Sequence, residues 1–138
     1  MMTGHCLCGA VEVRVAEGHE TSASVCHCSY CRRWTGSAFW GFAADGKLVS
    51  SSGPVASYRS TPFSERGFCA TCGTHLWIHD DDGSYDLLPG IFDAARDMPL
   101  DHEIYVDEAL ACLRLAGDHP RGTKAEYEAS NRVVEDRA

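Results

Sequence analysis

Seven of the eight cysteines in this 138-residue chain fall into three tight clusters, and these clusters are the residues best suited to chemistry. Thiolates placed two or three residues apart can bind a single metal ion or take part in redox reactions. The eighth, Cys112, stands alone in an apolar stretch and is predicted to be a small buried hydrophobic residue. The clusters are, in chain order, Cys6 with Cys8, then Cys26 with Cys28 and Cys31, then Cys69 with Cys72.

The first and last clusters are pairs, each followed directly by a glycine, Gly9 or Gly73. A glycine there can adopt a positive φ and let backbone N–H groups approach the thiolates, which offsets part of their charge. Four sulfur ligands complete a tetrahedral shell, so the two pairs together predict a closed, structural zinc site. Disulfides or redox-active Cys-x-x-Cys thiols are the alternatives. The four predicted ligands are Cys6, Cys8, Cys69 and Cys72.

The middle cluster, Cys26, Cys28 and Cys31, supplies three thiolates and leaves one position of tetrahedral zinc open. Three protein ligands with an exchangeable fourth are typical of catalytic zinc. A thiolate-rich site also favours a further sulfur ligand, so the open position suggests a thiol substrate, although water would fit. The alternative is a second structural site, completed by His27, His75 or another side chain.

A zinc ion with three thiolates is a weak Lewis acid and needs nearby hydrogen-bond donors. Arg32 and Arg33 directly follow the cluster and are the candidate catalytic side chains, with Ser29 and Thr35 also close in sequence. The two arginines could equally clamp a substrate carboxylate or face solvent. His27 lies between two ligands and is predicted to point away from the metal, behind the ligands or at the surface.

Short apolar and alternating segments separated by glycine-bearing turns predict a mainly β domain. Helices are expected only at one turn over 29–34, at 107–115 and over 123–135, and the acidic stretch 80–86 is read as a hairpin turn. We predict one domain over residues 1–116 and a loosely held extension over 117–138. The predicted strands cover residues 10–15, 37–44, 48–51, 55–58, 66–68, 74–79, 85–88 and 104–106, and residues 22–26 lead into the middle cluster.

The composition excludes several classes of partner. The formal net charge is −8 with only two lysines, which disfavours binding to a nucleic-acid backbone. No apolar run approaches the roughly 20 residues that span a bilayer, so no membrane segment is expected. The first residues lack the pattern of a signal peptide, so we expect a cytoplasmic protein, where clustered cysteines more often bind metal than form disulfides.

The cysteine framework resembles that of the glutathione-dependent formaldehyde-activating enzyme family, which is related to the centromere protein V type. The similarity covers about residues 4 to 93, and in the last motif Phe92 stands where the family has leucine. The motifs that carry it are GHCLCGAV over 4–11, CHCSYCRRWTGSAF over 26–39, YRS over 58–60, RGFCATCGTHL over 66–76 and GIFD over 90–93.

This resemblance implies a single-domain β-tent fold, related to zinc ribbons, in which short antiparallel strands surround two zinc sites. It implies the same division of the cysteines into a structural and a catalytic zinc site. It also implies a carbon–sulfur lyase that joins glutathione to formaldehyde as S-hydroxymethylglutathione. Residues 109–113 replace an aromatic segment that the family often has, so the substrate can differ from glutathione and formaldehyde.

We therefore expect a zinc-dependent enzyme that handles adducts of a small thiol, glutathione or similar, with an aldehyde. The alternative is a non-enzymatic zinc-binding module, or a carrier of the thiol or its adduct.

Overall fold

Two β-sheets form the framework of the structure, a computed structural model that describes residues 1–132; residues 133–138 lie outside the description. The predicted mainly β, single-domain fold is confirmed. The helices are α1 (Ser29–Thr35) and α2 (Lys124–Glu128), both far too short to cross a bilayer. The strands are β1 (Met2–His5), β2 (Glu12–Val15), β3 (Ala23–Cys26), β4 (Phe39–Asp45), β5 (Val49–Ser52), β6 (Val55–Thr61), β7 (Ser64–Cys69), β8 (His75–Asp80), β9 (Ser84–Leu87) and β10 (Leu100–Ile104).

The smaller sheet has three antiparallel strands in the order β1-β2-β5. Alternation along β2 places Val13 and Val15 in the core and leaves Arg14 exposed, as the sequence pattern predicted. Strand β1 was not predicted, because its four residues include Thr3 and Gly4 and carry no apolar alternation. A Cβ on Gly4 would lie 2.5 Å from the Phe92 ring, so only glycine fits where this sheet meets the segment after β9.

The larger sheet has seven strands in the order β10-β3-β4-β9-β8-β7-β6. All neighbours are antiparallel except β10, which pairs in parallel with β3. Strands β8 and β9 form the hairpin predicted at the acidic stretch 80–86. The shared core of the two sheets includes the fully buried Val11, Val13, Val15, Leu76 and Leu87, together with Phe42 and Phe92.

Two predictions for the region after β10 are wrong. The helix expected over 107–115 is only a 3₁₀ turn over Val106–Glu108, and Cys112 is exposed rather than buried. Tyr105 has the left-handed φ of 54°, and Ala109 is extended, so the backbone turns away from a helix at both ends of this short element. That turn lets residues 120–122 return alongside Glu103.

Residues 120–128 hydrogen-bond to the end of β10 and to the segment that follows it. The backbone N–H of Glu103 donates to Pro120, and that of Gly122 donates back to Glu103, at 3.0 and 2.9 Å. Thr123 and Glu126 cap the start of α2 reciprocally, which explains why the predicted helix begins there. The predicted continuation of this helix is wrong for residues 129–132, because α2 ends at Glu128, and its part over 133–135 lies outside the described residues. The boundary between 1–116 and 117–138 stays a prediction.

Candidate metal centres and the adjoining cavity

The structure brings together the first and last cysteine pairs. Cys6 and Cys8 follow β1, whereas Cys69 ends β7 and Cys72 lies in the turn after it. All four sulfur atoms lie within 4.8 Å of one another, and the Sγ atoms of Cys8 and Cys69 are 3.9 Å apart. All eight cysteines are free thiols, so this cluster forms no disulfide. Four convergent sulfurs could hold a metal ion in a closed site.

The two glycines after these pairs adopt the conformation that the sequence predicted. Gly9 has φ 77° and Gly73 has φ 75°. Each donates its N–H to the carbonyl of the first cysteine of its pair, at 3.0 and 2.9 Å, so both pairs lie in matching tight turns. The N–H of Val11 also points at Cys6 Sγ, 3.2 Å away, and offsets part of the charge of a thiolate.

The middle cluster forms where β3 passes into α1. Cys26 ends the strand, Cys28 is the residue before the helix and accepts the N–H of Cys31 at 3.5 Å, and Cys31 lies in the first helical turn. Their three sulfurs lie within 4.8 Å of one another. Among residues 1–132, no His, Asp, Glu or further Cys brings a fourth ligand atom into this group, which leaves one tetrahedral position free for an exchangeable ligand.

The charges of this cluster suit a metal cation. Hydrogen bonds from Cys26 and Cys31 lower the pKa of Cys28, whereas the bond to Cys28 and the contact with Cys31 raise the pKa of Cys26. Three adjacent thiols therefore resist full ionisation, because each additional thiolate is repelled by the negative charge of its neighbours. A divalent cation removes this penalty and lets all three ionise, so the donor set fits a thiophilic metal.

Both histidines proposed as a fourth ligand point elsewhere. His27 is fully buried, and its Nε2 lies 2.6 Å from Glu103 Oε1, so it points away from the metal position as predicted. The other Glu103 oxygen contacts His119 Nε2 at 2.5 Å and Arg121 Nε at 3.3 Å. The ring of His75 is stacked on Trp34, with the ring centroids 4.0 Å apart.

Glu103 connects His27, which lies between two cysteines of the middle cluster, to His119 and Arg121 beyond β10. Burial would raise the pKa of this carboxyl, but hydrogen bonds from His119 and His27 lower it overall, so it is ionised at neutral pH. The sequence analysis missed Glu103, because 76 residues separate it from His27 and only the parallel pairing of β10 with β3 brings them together.

A cavity of about 180 Å³ borders the middle cluster on one face of the larger sheet. Gly41 lets the Phe39 ring of the cavity wall lie close over β4, because a Cβ there would lie 2.6 Å from that ring and 3.3 Å from Asp86 Cβ. Its lining includes the three clustered cysteines with Arg66, Asp80 and Asp86. The open side of the sulfur cluster therefore faces a space large enough for a small ligand.

The family model for the glutathione-dependent formaldehyde-activating enzyme matches residues 1–108, well over half of the chain. The chain belongs to this family. An uncharacterized lyase of Schizosaccharomyces pombe is 34% identical over 116 residues, which are 82% of this chain and 84% of the relative. A Halomonas elongata relative, named as a glutathione-dependent formaldehyde-activating enzyme, is 33% identical over 91 residues, 58% of this chain and 57% of its own.

Among solved structures, a Rhodobacter sphaeroides protein superposes with a TM-score of 0.59 at 23% identity. The match covers 72% of this chain and 99% of the other, and it shows a shared fold. The family and the names of its relatives support an enzyme with lyase-like chemistry.

In this member of the formaldehyde-activating family, part of the cavity wall comes from beyond the family match. Tyr127 and Arg132 both line the cavity, and both follow residue 108. The Tyr127 ring packs 5.2 Å from that of Tyr105, and the Arg132 guanidinium lies 4.3 Å above the ring of Phe63. Tyr127 and Arg132 therefore form part of the cavity wall near the three thiols. Nothing in the sequence pattern of residues 117–138 indicates this role.

The two predicted arginines lie away from this cavity. Arg33 is exposed on the outer side of α1, beside Trp34 and Tyr58, and Arg32 is half-buried. Arg66 is the arginine that contacts the cluster, with its Nη2 3.6 Å from Cys31 Sγ. It lies within the RGFCATCGTHL motif, but 35 residues from Cys31, so spacing alone gave no signal for this contact. A catalytic role for Arg32 or Arg33 stays a prediction.

Asp86 places a carboxyl group in the cavity with an altered affinity for protons. Burial raises its pKa to about 6, and the charges of Asp80 and Asp82 add to this effect while His102 opposes it. A carboxyl whose pKa is higher in the folded state stabilises the fold at low pH, and this contribution is lost as the pH rises toward 6 and above.

We expect Asp86→Asn to stabilise the fold at pH 7.5, by about 1–2 kcal/mol once contact with water in the cavity is allowed for, and by about half as much at pH 5. Urea unfolding of the metal-loaded protein at both pH values measures this. Asp82→Asn is the matched control, because hydrogen bonds from Ser84 lower the pKa of Asp82, and its loss should not stabilise. An Asp86→Asn gain that is equal at both pH values would contradict the prediction.

Proposed function

We propose that the protein catalyses formation and cleavage of the carbon–sulfur bond between a small thiol, glutathione or similar, and an aldehyde such as formaldehyde. The observation that carries this proposal is the three-sulfur cluster of Cys26, Cys28 and Cys31, which has no fourth protein ligand among the described residues and borders a cavity of about 180 Å³. Membership of the formaldehyde-activating family supports the same reaction class.

Zinc is the metal we propose for both clusters, because thiolate-only donor sets suit it. Cys6, Cys8, Cys69 and Cys72 would hold a structural ion, and the middle cluster would hold a catalytic one. Bound zinc would stabilise the thiolate form of the substrate at neutral pH, where a free thiol with a pKa of about 8.5 is mostly protonated.

The chain itself positions the reacting groups. Helix α1 and the end of β3 fix the three sulfurs on one side of the cavity, and the sheet face holds the aldehyde close to the substrate sulfur. A sulfur electron pair forms the new bond to the carbonyl carbon, the C=O π pair moves to oxygen, and oxygen takes up the proton that the thiol gave away. The reverse sequence cleaves the adduct, which is the lyase direction.

Thiols add to formaldehyde without a catalyst, so the test must compare rates rather than products. We expect Cys28→Ser to reduce the zinc content from two ions per chain to one and to bring exchange between formaldehyde and S-hydroxymethylglutathione, followed by NMR, down to the uncatalysed rate. Cys112→Ser is the matched control, because Cys112 is exposed and belongs to neither cluster.

Each other outcome has a distinct meaning. A folded Cys28→Ser protein that still accelerates exchange would refute the proposal. A wild-type protein that binds glutathione but leaves the exchange rate unchanged would be a carrier. Two zinc ions that glutathione does not perturb would indicate a structural module. Cytoplasmic location and the absence of nucleic-acid partners stay predictions.

A further inference from the structure

Arg66 lies on β7 with 5% of its surface exposed, at the border between the middle cysteine cluster and the cavity. Its guanidinium carbon lies over the Trp34 ring, 4.9 Å from the ring centre. An arginine carries its positive charge at every physiological pH, so a permanent cation is buried beside the sulfurs. Such a burial is costly unless the hydrogen-bond donors of the group find acceptors.

Two of its three nitrogen atoms have partners. Nε donates to Ser60 Oγ at 3.2 Å, and Nη2 donates to Cys31 Sγ at 3.6 Å. These contacts and the Trp34 ring fix the plane of the group. Nη1 is buried and makes no hydrogen bond to any of residues 1–132. A buried charged donor without an acceptor, next to a site built to receive a ligand, indicates that the ligand supplies the acceptor.

The position of Nη1 restricts which ligand atom this is. Nη2 of the same rigid group contacts Cys31 Sγ at 3.6 Å, so an acceptor for the neighbouring Nη1 lies beside the open cluster. Under the proposed function, the substrate sulfur takes the fourth ligand position of that cluster. The nearest strong acceptor on a thiol–aldehyde adduct is the oxygen on the carbon bonded to sulfur.

We propose that Arg66 is a catalytic residue whose Nη1 donates a hydrogen bond to the aldehyde oxygen as it gains negative charge; this rests on the proposed function. In the forming direction the sulfur pair bonds to the carbonyl carbon, the π pair moves to the oxygen that Nη1 contacts, and that oxygen then takes the proton released by the thiol. In the reverse direction the oxygen loses this proton, and the carbon–sulfur bond breaks. Arg66 keeps its own protons throughout, because it acts by fixed charge and direction.

Arg66→Gln and Arg66→Lys test the proposal, with Arg14→Gln as the control, because Arg14 is exposed on the smaller sheet and, among residues 1–132, pairs only with Glu12 there. Three quantities are measured for each: zinc per chain, glutathione binding by the absorption of the cobalt-loaded protein, and catalysed formaldehyde exchange by NMR. We expect Arg66→Gln to retain metal and glutathione binding and to lose about 100-fold in exchange rate. Arg66→Lys keeps the charge but not the planar pair of donors, so it recovers only part of that loss. Arg14→Gln remains at the wild-type rate.

The results that overturn the proposal differ from those that overturn the proposed function. Exchange by Arg66→Gln at the rate of Arg14→Gln, or full recovery in Arg66→Lys, excludes a directional hydrogen bond from Nη1. Loss of glutathione binding in Arg66→Gln, in step with the exchange rate, makes Arg66 a positioning residue. A wild-type protein that neither binds glutathione nor accelerates exchange refutes the proposed function itself.

One measurement keeps the test decisive even where the Arg66 variants do not fold. The cobalt-loaded wild-type protein is titrated with S-hydroxymethylglutathione in excess formaldehyde and with S-methylglutathione, whose sulfur is likewise a thioether but which lacks the oxygen. We expect the adduct to bind more tightly than S-methylglutathione. Equal binding of the two contradicts a contact to that oxygen.

Discussion

Cys69→Ser is expected to abolish cooperative folding and to remove one of two zinc ions per chain. Cys69 is fully buried, and its sulfur joins β7 to the segment after β1 through Cys8. For structural zinc the binding free energy is largely folding free energy, of order 10 kcal/mol in small domains, which exceeds the net stability of many single domains. Circular dichroism during urea unfolding and metal analysis of the purified variant give the two readouts.

The control is Cys112→Ser, in which the same atom is exchanged at an exposed position outside both clusters. It should retain two zinc ions and the wild-type urea midpoint. A folded Cys69→Ser protein that still holds two ions would show that the four-sulfur cluster is not a metal site, and the stability of the domain would then rest on its two-sheet core alone.

Glu103→Ala is expected to destabilise the fold by about 3–5 kcal/mol, the range for removing one member of a buried charged group. The substitution leaves His27 fully buried with neither ring nitrogen hydrogen-bonded, since its Nδ1 already has no partner among residues 1–132. It also removes the carboxylate shared by His119 and Arg121, so residues 117–122 should detach from β10. Urea unfolding at neutral pH measures the first effect, and limited proteolysis after Arg121 measures the second.

Glu12→Ala is the matched substitution at the surface, where Glu12 pairs with Arg14 and both side chains are largely accessible to water. Exposed pairs contribute at most about 1 kcal/mol, so this variant should unfold close to the wild type. The folded state lowers the pKa of Glu103, so its contribution is present at neutral pH and is lost as the pH falls below the ordinary glutamate range. The gap between the two variants should therefore narrow on acidification, and equal effects at pH 7 would contradict the buried network.

Local patterns predicted those parts of the fold that neighbouring residues determine. Strict alternation located β2, the acidic stretch located the β8–β9 turn, and the glycines after Cys8 and Cys72 identified two matching turns. Cysteine spacing, the glycines after two of the pairs and the number of ligands that zinc requires together grouped all seven clustered thiols as the structure groups them. These signals work because a turn or a strand pair depends on a few consecutive residues.

Failures occurred where distant segments decide the local conformation. The apolar residues 110–113 suggested a helix, but the pairing of residues 120–122 with Glu103 and the left-handed Tyr105 prevent one and leave Cys112 exposed. Proximity in sequence also favoured Arg32 and Arg33, whereas the arginine that touches Cys31 comes from β7. Two residues that are distant in sequence and meet only across strands produce no pattern that a single sequence could reveal.

The two cysteine clusters differ in how far apart their members lie along the chain. This difference determines whether each cluster can bind a metal ion when the chain is unfolded. Cys26, Cys28 and Cys31 fall within six consecutive residues, so an unfolded chain still presents them as a chelator. Cys8 and Cys69 are 61 residues apart and meet only in the native fold. A ligand that binds native and unfolded chains alike adds little stability by mass action, so the metal at the three-sulfur cluster can be present before folding without driving it. The four-sulfur ion, in contrast, would be released at the unfolding midpoint, and its release would report directly on the unfolding of the domain.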